Sequence, residues 1–165
     1  MRKAGRDDLP SLEALREEAV DWLAARGLDQ WQPGQPRVPT AAGTLDAIDR
    51  CACHLAYEGQ DLVGTITVDD RADPEFWTPQ ERAEPALYIH RMIVARHARS
   101  RSLGACLLDW AADYARTAGR TMLRLDAWKT NKALHQYYLR QGFRHVRTID
   151  LPHRGSGALF ERRLC

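Results

Sequence analysis

No apolar run in this sequence approaches the roughly 18 residues that a membrane-spanning helix requires, and the opening Met1-Arg2-Lys3-Ala4-Gly5-Arg6 has no apolar segment of the kind a secretory leader carries. Cysteine is scarce, at four residues: Cys51, Cys53, Cys106 and Cys165. A strand would set Cys51 and Cys53 on one face, where neighbours do not readily bridge, and C-x-C alone is a poor zinc signal. Free thiols in a reducing cytosol are expected, hence a cytoplasmic protein. The six histidines show no ligand spacing with carboxylates or thiols, so no metal is expected. A Gly-x-Ser-x-Gly elbow and a Walker A loop are both missing, which excludes two common hydrolase and nucleotide-binding classes.

What remains is ordinary globular material: 165 residues, 44% hydrophobic and 28% charged. That excludes a disordered, collagenous or coiled-coil chain and predicts one domain over 1–165. Net charge is only +2, yet residues 1–90 carry 9 Lys and Arg against 17 Asp and Glu, while residues 91–165 carry 15 against 5. Either the halves face different partners, a cation and a polyanion, or folding interleaves them and the fields cancel.

Hydrophobic periodicity predicts a short strand at 2–4 and a helix from Asp7-Asp8-Leu9-Pro10 to Ala25 with Gly27 as its C-cap. A loop with at most a short helix follows over 28–45. Strands at 51–57 and 62–68 form a hairpin about Glu58-Gly59-Gln60-Asp61. After a polar loop over 69–85 come a strand at 87–94, an amphipathic helix from Leu103 to about Gly119, a strand at 121–127, a helix at 132–141, and strands at 142–149 and 158–163. Strand–helix alternation is confined to the second half, so a single mixed α/β sheet is expected rather than a doubly wound one.

The segment from Val94 to Ala105 is the most informative. A strand ends, a loop of small and basic residues follows, and a helix begins. N–H groups at a helix start are unsatisfied and carry the positive end of the dipole. Small residues let a ligand approach the backbone, as a diphosphate requires. Taken alone, the segment equally suits any phosphate, or Ser100 or Ser102 as a simple N-cap beside solvated arginines.

In context, this segment resembles the acyl-CoA loop V-x-P-x-x-R-G-x-G-[IL]-G-x of the GNAT superfamily of N-acetyltransferases. Val94, Arg99, Leu103 and Gly104 fall in register. Arg96 takes the proline position, and Ser100 and Ser102 replace the two earlier glycines, so the loop is expected to keep φ negative there. Leu125-Asp126-Ala127-Trp128-Lys129-Thr130-Asn131, then Tyr138-Leu139-Arg140-Gln141-Gly142-Phe143, is similar to the family's acidic strand end, Asn and Y-x-x-x-G-F. Leu62-Val63-Gly64-Thr65-Ile66 matches the family hairpin. Trp22-Leu23-Ala24-Ala25-Arg26-Gly27 with Gln30-Trp31 is similar to a subset of bacterial small-molecule-type members.

The resemblance implies a mostly antiparallel sheet of six to seven strands flanked by about four helices, with two central parallel strands splayed apart. It implies acetyl-CoA as co-substrate in that splay. The strand edge Met92-Ile93-Val94 would hold the pantetheine and polarise the thioester carbonyl through the Met92 and Val94 amides. Arg99 and the amides of Ser100, Arg101, Ser102, Leu103, Gly104 and Ala105 would hold the pyrophosphate, and Asn131 would contact the cofactor arm. Tyr138 would protonate the departing thiolate in a direct transfer. Asp126 would act as base, or His90 with Tyr88 would relay the proton through water. The residues themselves also fit plainer roles: Asp126 paired with Arg124, His90 as a structural histidine, Tyr138 as a core aromatic.

Asp69, Asp70, Asp73, Glu75, Glu81 and Glu84 around Phe76-Trp77, with Trp31, suggest an acidic and aromatic rim for a cationic amine. The plainer reading is a solvated loop. The leading expectation is therefore an acetyl-CoA-dependent N-acetyltransferase moving the acetyl group directly to a primary amine of a small, cationic molecule. The alternatives are a protein, peptide or aminoacyl-tRNA N-acetyltransferase and a non-catalytic acyl-CoA-binding module. Nucleic acid is disfavoured as a partner because the arginines are scattered rather than striped. No membrane partner is expected, and the last strands offer a pairing edge for a homodimer.

Overall fold

Thr40 closes the proline-rich stretch by capping a helix that the composition conceals. Its hydroxyl accepts from the Gly43 N–H, and α2 runs over Ala41–Asp49, starting within the 28–45 segment, where a loop with at most a short helix was expected, and continuing four residues beyond it. Alanine, glycine and threonine give that helix little periodic signal. The computed structural model describes residues 1–164, with the backbone alone for residues 99–101. Cys165 therefore lies outside the described residues.

The other helices are α1 over Leu9–Ala24, the short α3 over Pro79–Ala83, α4 over Leu103–Thr117 and α5 over Lys132–Arg140. α1 ends where Gly27 takes φ 68, which lets the Leu28 N–H reach the Leu23 carbonyl, a left-handed termination that glycine makes easy. α3 carries a capping box, Thr78 to Glu81, a signal present in the sequence within the segment expected to be loop.

Seven strands form one sheet: β1 over Arg2–Lys3, β2 over Cys53–Glu58, β3 over Asp61–Asp69, β4 over Ala86–Val94, β5 over Met122–Trp128, β6 over Arg144–Thr148 and β7 over Ser156–Arg163. Their order is β1-β2-β3-β4-β5-β7-β6. Only β4 and β5 are parallel; the remaining neighbours are antiparallel. The mixed, mostly antiparallel architecture is as the motifs implied. Cys51 corrects one expectation. It is exposed at φ 56 in the turn before β2, so it does not share a strand face with buried Cys53.

α4 presents Leu107, Leu108, Ala111, Ala112 and Ala115 to one face of the sheet, where they meet Ile66, Ile89, Leu123, Leu125 and Phe160. Each large aliphatic chain buried there contributes about 1.5–3 kcal/mol. α1 and α2 cover the other face through Leu12, Leu15, Ala47 and Ile48. Among the described residues no helix is long and apolar enough to cross a membrane.

Candidate functional site

The two parallel strands pair for only part of their length. β4 and β5 are in register from Ala86 opposite Met122 to Ile89 opposite Leu125, while β4 continues to Val94 and β5 to Trp128. The divergence has a local cause. The β3–β4 register shifts between Thr65 and Thr67, and Arg91 takes φ 46. An extra residue bends a strand and raises its twist, so β4 leaves β5. The Ala95 N–H donates to the Val63 carbonyl on β3. Successive strand N–H groups point to opposite edges, which puts those of Val94 and Met92 on the edge facing the gap.

The gap opens into a cavity of about 1390 Å³. Its walls include Met92, Ile93 and Val94 from β4, Ser102, Leu103, Gly104 and Ala105 at the start of α4, and Asn131, Tyr137 and Tyr138 from α5. His90, Asp126, Asp69 and Trp31 line it as well. The structure thus gathers 13 of the expected site residues around one space. Arg99, Ser100 and Arg101 have side chains outside the described residues.

Two expected residues are elsewhere. Trp77 and Tyr88 are buried in a separate cluster with Phe76, Met122 and Leu159 and do not line the cavity. The Tyr88 hydroxyl faces the Arg124 guanidinium instead. The acidic rim is corrected too. Arg50 donates to Asp69 at 2.5 Å, Arg154 holds Asp73 and Glu75, Arg147 holds Glu81, and Arg124 holds Glu84. Three of these four arginines come from the basic half of the sequence, so folding interleaves the halves and neutralises these acids. Arg124 is committed to Glu84 and Glu161; no ion pair joins it to Asp126.

Asp126 lies in the cavity wall with Ser156 and Arg154. Burial pushes its carboxyl above the ordinary value, against the lowering influence of His90, Ser156 and Arg154. Asp69 behaves oppositely. Burial alone would raise it, but hydrogen bonds and charge from His90 and Arg50 hold it well below the usual carboxylate range, and His90 Nε2 lies 3.3 Å from its Oδ1. The Tyr138 ring packs on Phe143 and Phe160. Burial, then the neighbouring Tyr137 and Asp126, push its phenol above the ordinary value. It therefore stays protonated across the neutral range.

Ser102 departs from expectation. Its φ is 55, left-handed, where negative φ was expected. The chain needs that turn to pass from the 3-10 turn Arg96–Arg101 into α4, at a cost of about 1–2 kcal/mol for a non-glycine residue. Its side chain makes no cap. The first helical bond runs from the Cys106 N–H to the Ser102 carbonyl, leaving the N–H groups of Leu103, Gly104 and Ala105 without a helical acceptor. A Cβ at Gly104 would lie 2.4 Å from the Tyr137 hydroxyl, itself sealed and without a partner among the described residues.

The bonds that tie the 28–31 segment to the end of β5 and the start of α5 had no signal in the sequence. Gln30 Oε1 accepts from Asn131 Nδ2 at 2.7 Å while Asn131 Oδ1 accepts from the Leu134 N–H and caps α5. Asp29 accepts from Trp128 Nε1 at 3.0 Å. The 28–31 segment is thereby docked on the β5–α5 junction.

An open parallel pair, an uncapped helix start and a tyrosine on the facing helix are the arrangement that the GNAT resemblance implied. The family description "Acetyltransferase (GNAT) family" matches residues 14–143, and the chain belongs to that family; it is an acyltransferase enzyme. It is 26% identical over 140 residues to the N-acetyltransferase YesJ of Bacillus subtilis, covering 83% of this chain and 77% of YesJ. A GNAT-family acetyltransferase from Listeria monocytogenes superposes with a TM-score of 0.82 at 22% identity, over 99% of this chain and 93% of that one. The yncA acetyltransferase of Salmonella typhimurium, whose structure holds its cofactor acetyl-CoA, gives 0.65 at 14% identity, over 99% and 92%.

Proposed function

We propose that residues 1–165 act as a single N-acetyltransferase domain that moves the acetyl group of acetyl-CoA directly to a primary amine of a small molecule. One observation carries the reading: the β4–β5 pairing stops at Ile89 and Leu125, and the space beyond is walled by His90, Asp126 and Tyr138 together. Free Cys51, Cys53 and Cys106 fit a reducing cytoplasm.

The residues present suit the co-substrate. Leu103, Gly104 and Ala105 offer free N–H groups and the positive helix end to a diphosphate. Met92 and Val94 offer N–H groups along the open strand edge to the amides of a pantetheine arm. Acetyl-CoA supplies an activated thioester. The N–H groups beside it would stabilise the negative charge that attack builds on the carbonyl oxygen. Asp126, with its raised affinity for a proton, would take one from the incoming ammonium, with His90 between it and Asp69 as the relay. Tyr138 would hold the proton destined for the thiolate. The wider cation-selective rim expected earlier is not part of this reading, because Asp73, Glu75, Glu81 and Glu84 are held by arginines.

The experiment is thiol release from acetyl-CoA across a library of small amines. Amine-dependent release in the wild type, lost in Tyr138→Phe, supports direct transfer; acetyl-CoA binding with no turnover of any amine supports a non-catalytic module instead.

A further inference from the structure

Arg91 is a cavity arginine that the proposed chemistry leaves without a role. It occupies the bulge of β4 in a left-handed conformation, immediately after His90. Its side chain lies on the α1 and α2 face, with one guanidinium nitrogen 3.0 Å from where a Cβ would stand at Gly43. It is half-buried and lines the cavity.

Among the described residues it has no hydrogen bond or ion pair. The nearby acids are already taken. Asp69 is held by Arg50 and His90, and Asp46 by Arg50 and Arg71. Three arginines thus share two carboxylates on this side of the cavity, and Arg91 is the surplus cation. Burial works against its charge and pushes the guanidinium below its ordinary value, with Arg50 adding to that. An unpaired cation in a half-buried wall is costly. A protein holds one readily where an incoming anion completes the pair, and guanidinium geometry suits a two-oxygen group.

We infer that the acceptor is an amine that also bears a carboxylate, an amino acid or a close analogue, whose anion docks on Arg91 while its amine faces Asp69, His90 and Asp126. This rests on the transferase reading above and names its substrate class. The sequence adjacency of Arg91 and His90 fits a molecule whose two charged ends are only a few bonds apart. Gly43 keeps α2 clear of the guanidinium, which a side chain there would crowd.

The test compares thiol release from acetyl-CoA with L-amino acids, β-alanine and γ-aminobutyrate, each against its carboxamide, and with putrescine as a dication. The wild type should favour the free acids in kcat/KM by about tenfold or more, the usual range for a charged hydrogen-bonded contact. Arg91→Gln should erase that preference by slowing the acids while the carboxamides and the KM for acetyl-CoA stay unchanged, and Arg91→Lys should restore part of it. If Arg91→Gln does not fold, Arg91→Lys alone should lower the acids and spare the amides. Equal rates on acids, amides and putrescine would overturn the inference and leave the transferase reading intact.

Thermal shift with the same amino acids in the presence of CoA separates the two claims. An Arg91-dependent shift without turnover would overturn the transferase reading and keep the anion site. Neither a shift nor turnover with any amino acid would overturn the inference.

Discussion

His90 stands opposite Asp126 at the first register position beyond the paired part of β4 and β5, one step past Ile89 and Leu125. Both strands are firmly hydrogen-bonded up to that point and diverge after it. The position lets a histidine and a carboxylate face one another across an opening without either being filled in by sheet.

Asp126 should therefore tax stability in return for function. Burial raises its pKa, so folding favours the protonated carboxyl. That contribution is complete below the unfolded value near about pH 4 and is lost as pH rises through the folded value. Asp126→Asn, which cannot ionise, should be more stable than wild type at neutral pH, with the gap closing as pH falls toward about 4. Its turnover should fall. Urea denaturation at several pH values, beside initial rates, checks both; a variant that is less stable at neutral pH contradicts the first.

Asp69 should behave in the opposite sense. Its carboxyl is held low by His90 and Arg50 against the effect of burial, so it stabilises the fold above the unfolded value and that stability is lost as pH falls through the folded one. With its side chain only 10% exposed, Asp69→Asn should cost about 1–3 kcal/mol at neutral pH by weakening charged hydrogen bonds. An unchanged urea midpoint at pH 7 would refute the pairing.

Gly104→Ala should strike the diphosphate end of the cavity. The new methyl would sit 2.4 Å from the Tyr137 hydroxyl, at the tip of a rigid ring, so the phenol must move. The KM for acetyl-CoA should rise severalfold, and the melting temperature should fall with the overpacking. Adding Tyr137→Phe, which deletes the nearest atom, should recover part of the loss; no change in KM for Gly104→Ala would count against helix α4 as the diphosphate site.

Arg124 tests the scaffold rather than the chemistry. It is 1% exposed, pairs with buried Glu161 at 3.1 Å, and lies over the Trp77 ring. Arg124→Met leaves Glu161 with one cation fewer and should cost about 3–5 kcal/mol, read from denaturant unfolding.

Much of this was legible in the sequence because it is local. The hairpin turn, the alternating strands and the periodicity of Leu107, Leu108 and Ala111 each report on neighbours in the chain. The family resemblance carried by the spacing from Asp126 to Asn131 and on to Tyr138 implied one site for those three residues, and all three line the cavity. What stayed hidden is non-local. Gln30 meets Asn131 across 101 positions, and nothing in either segment announces it. Trp77 read as a rim aromatic and Tyr88 as a relay beside His90 because burial is decided by the sheet packed over them. The acids of 69–85 read as a free negative field because their arginines lie at the end of α2, on β5 and β6 and in the β6–β7 connection. The bulge at Arg91 has no glycine to mark it, and Ser102 adopts a glycine-like conformation that its identity argues against.

Tyr138 carries the most direct test. Single-turnover and steady-state thiol release from acetyl-CoA should be measured for wild type and Tyr138→Phe with the best acceptor amine. Loss of a positioned proton donor should lower kcat by about 10²–10⁴-fold with the KM for acetyl-CoA and the melting temperature little changed. Equal kcat in the two proteins, or release that does not depend on the amine, would contradict direct acetyl transfer at this cavity.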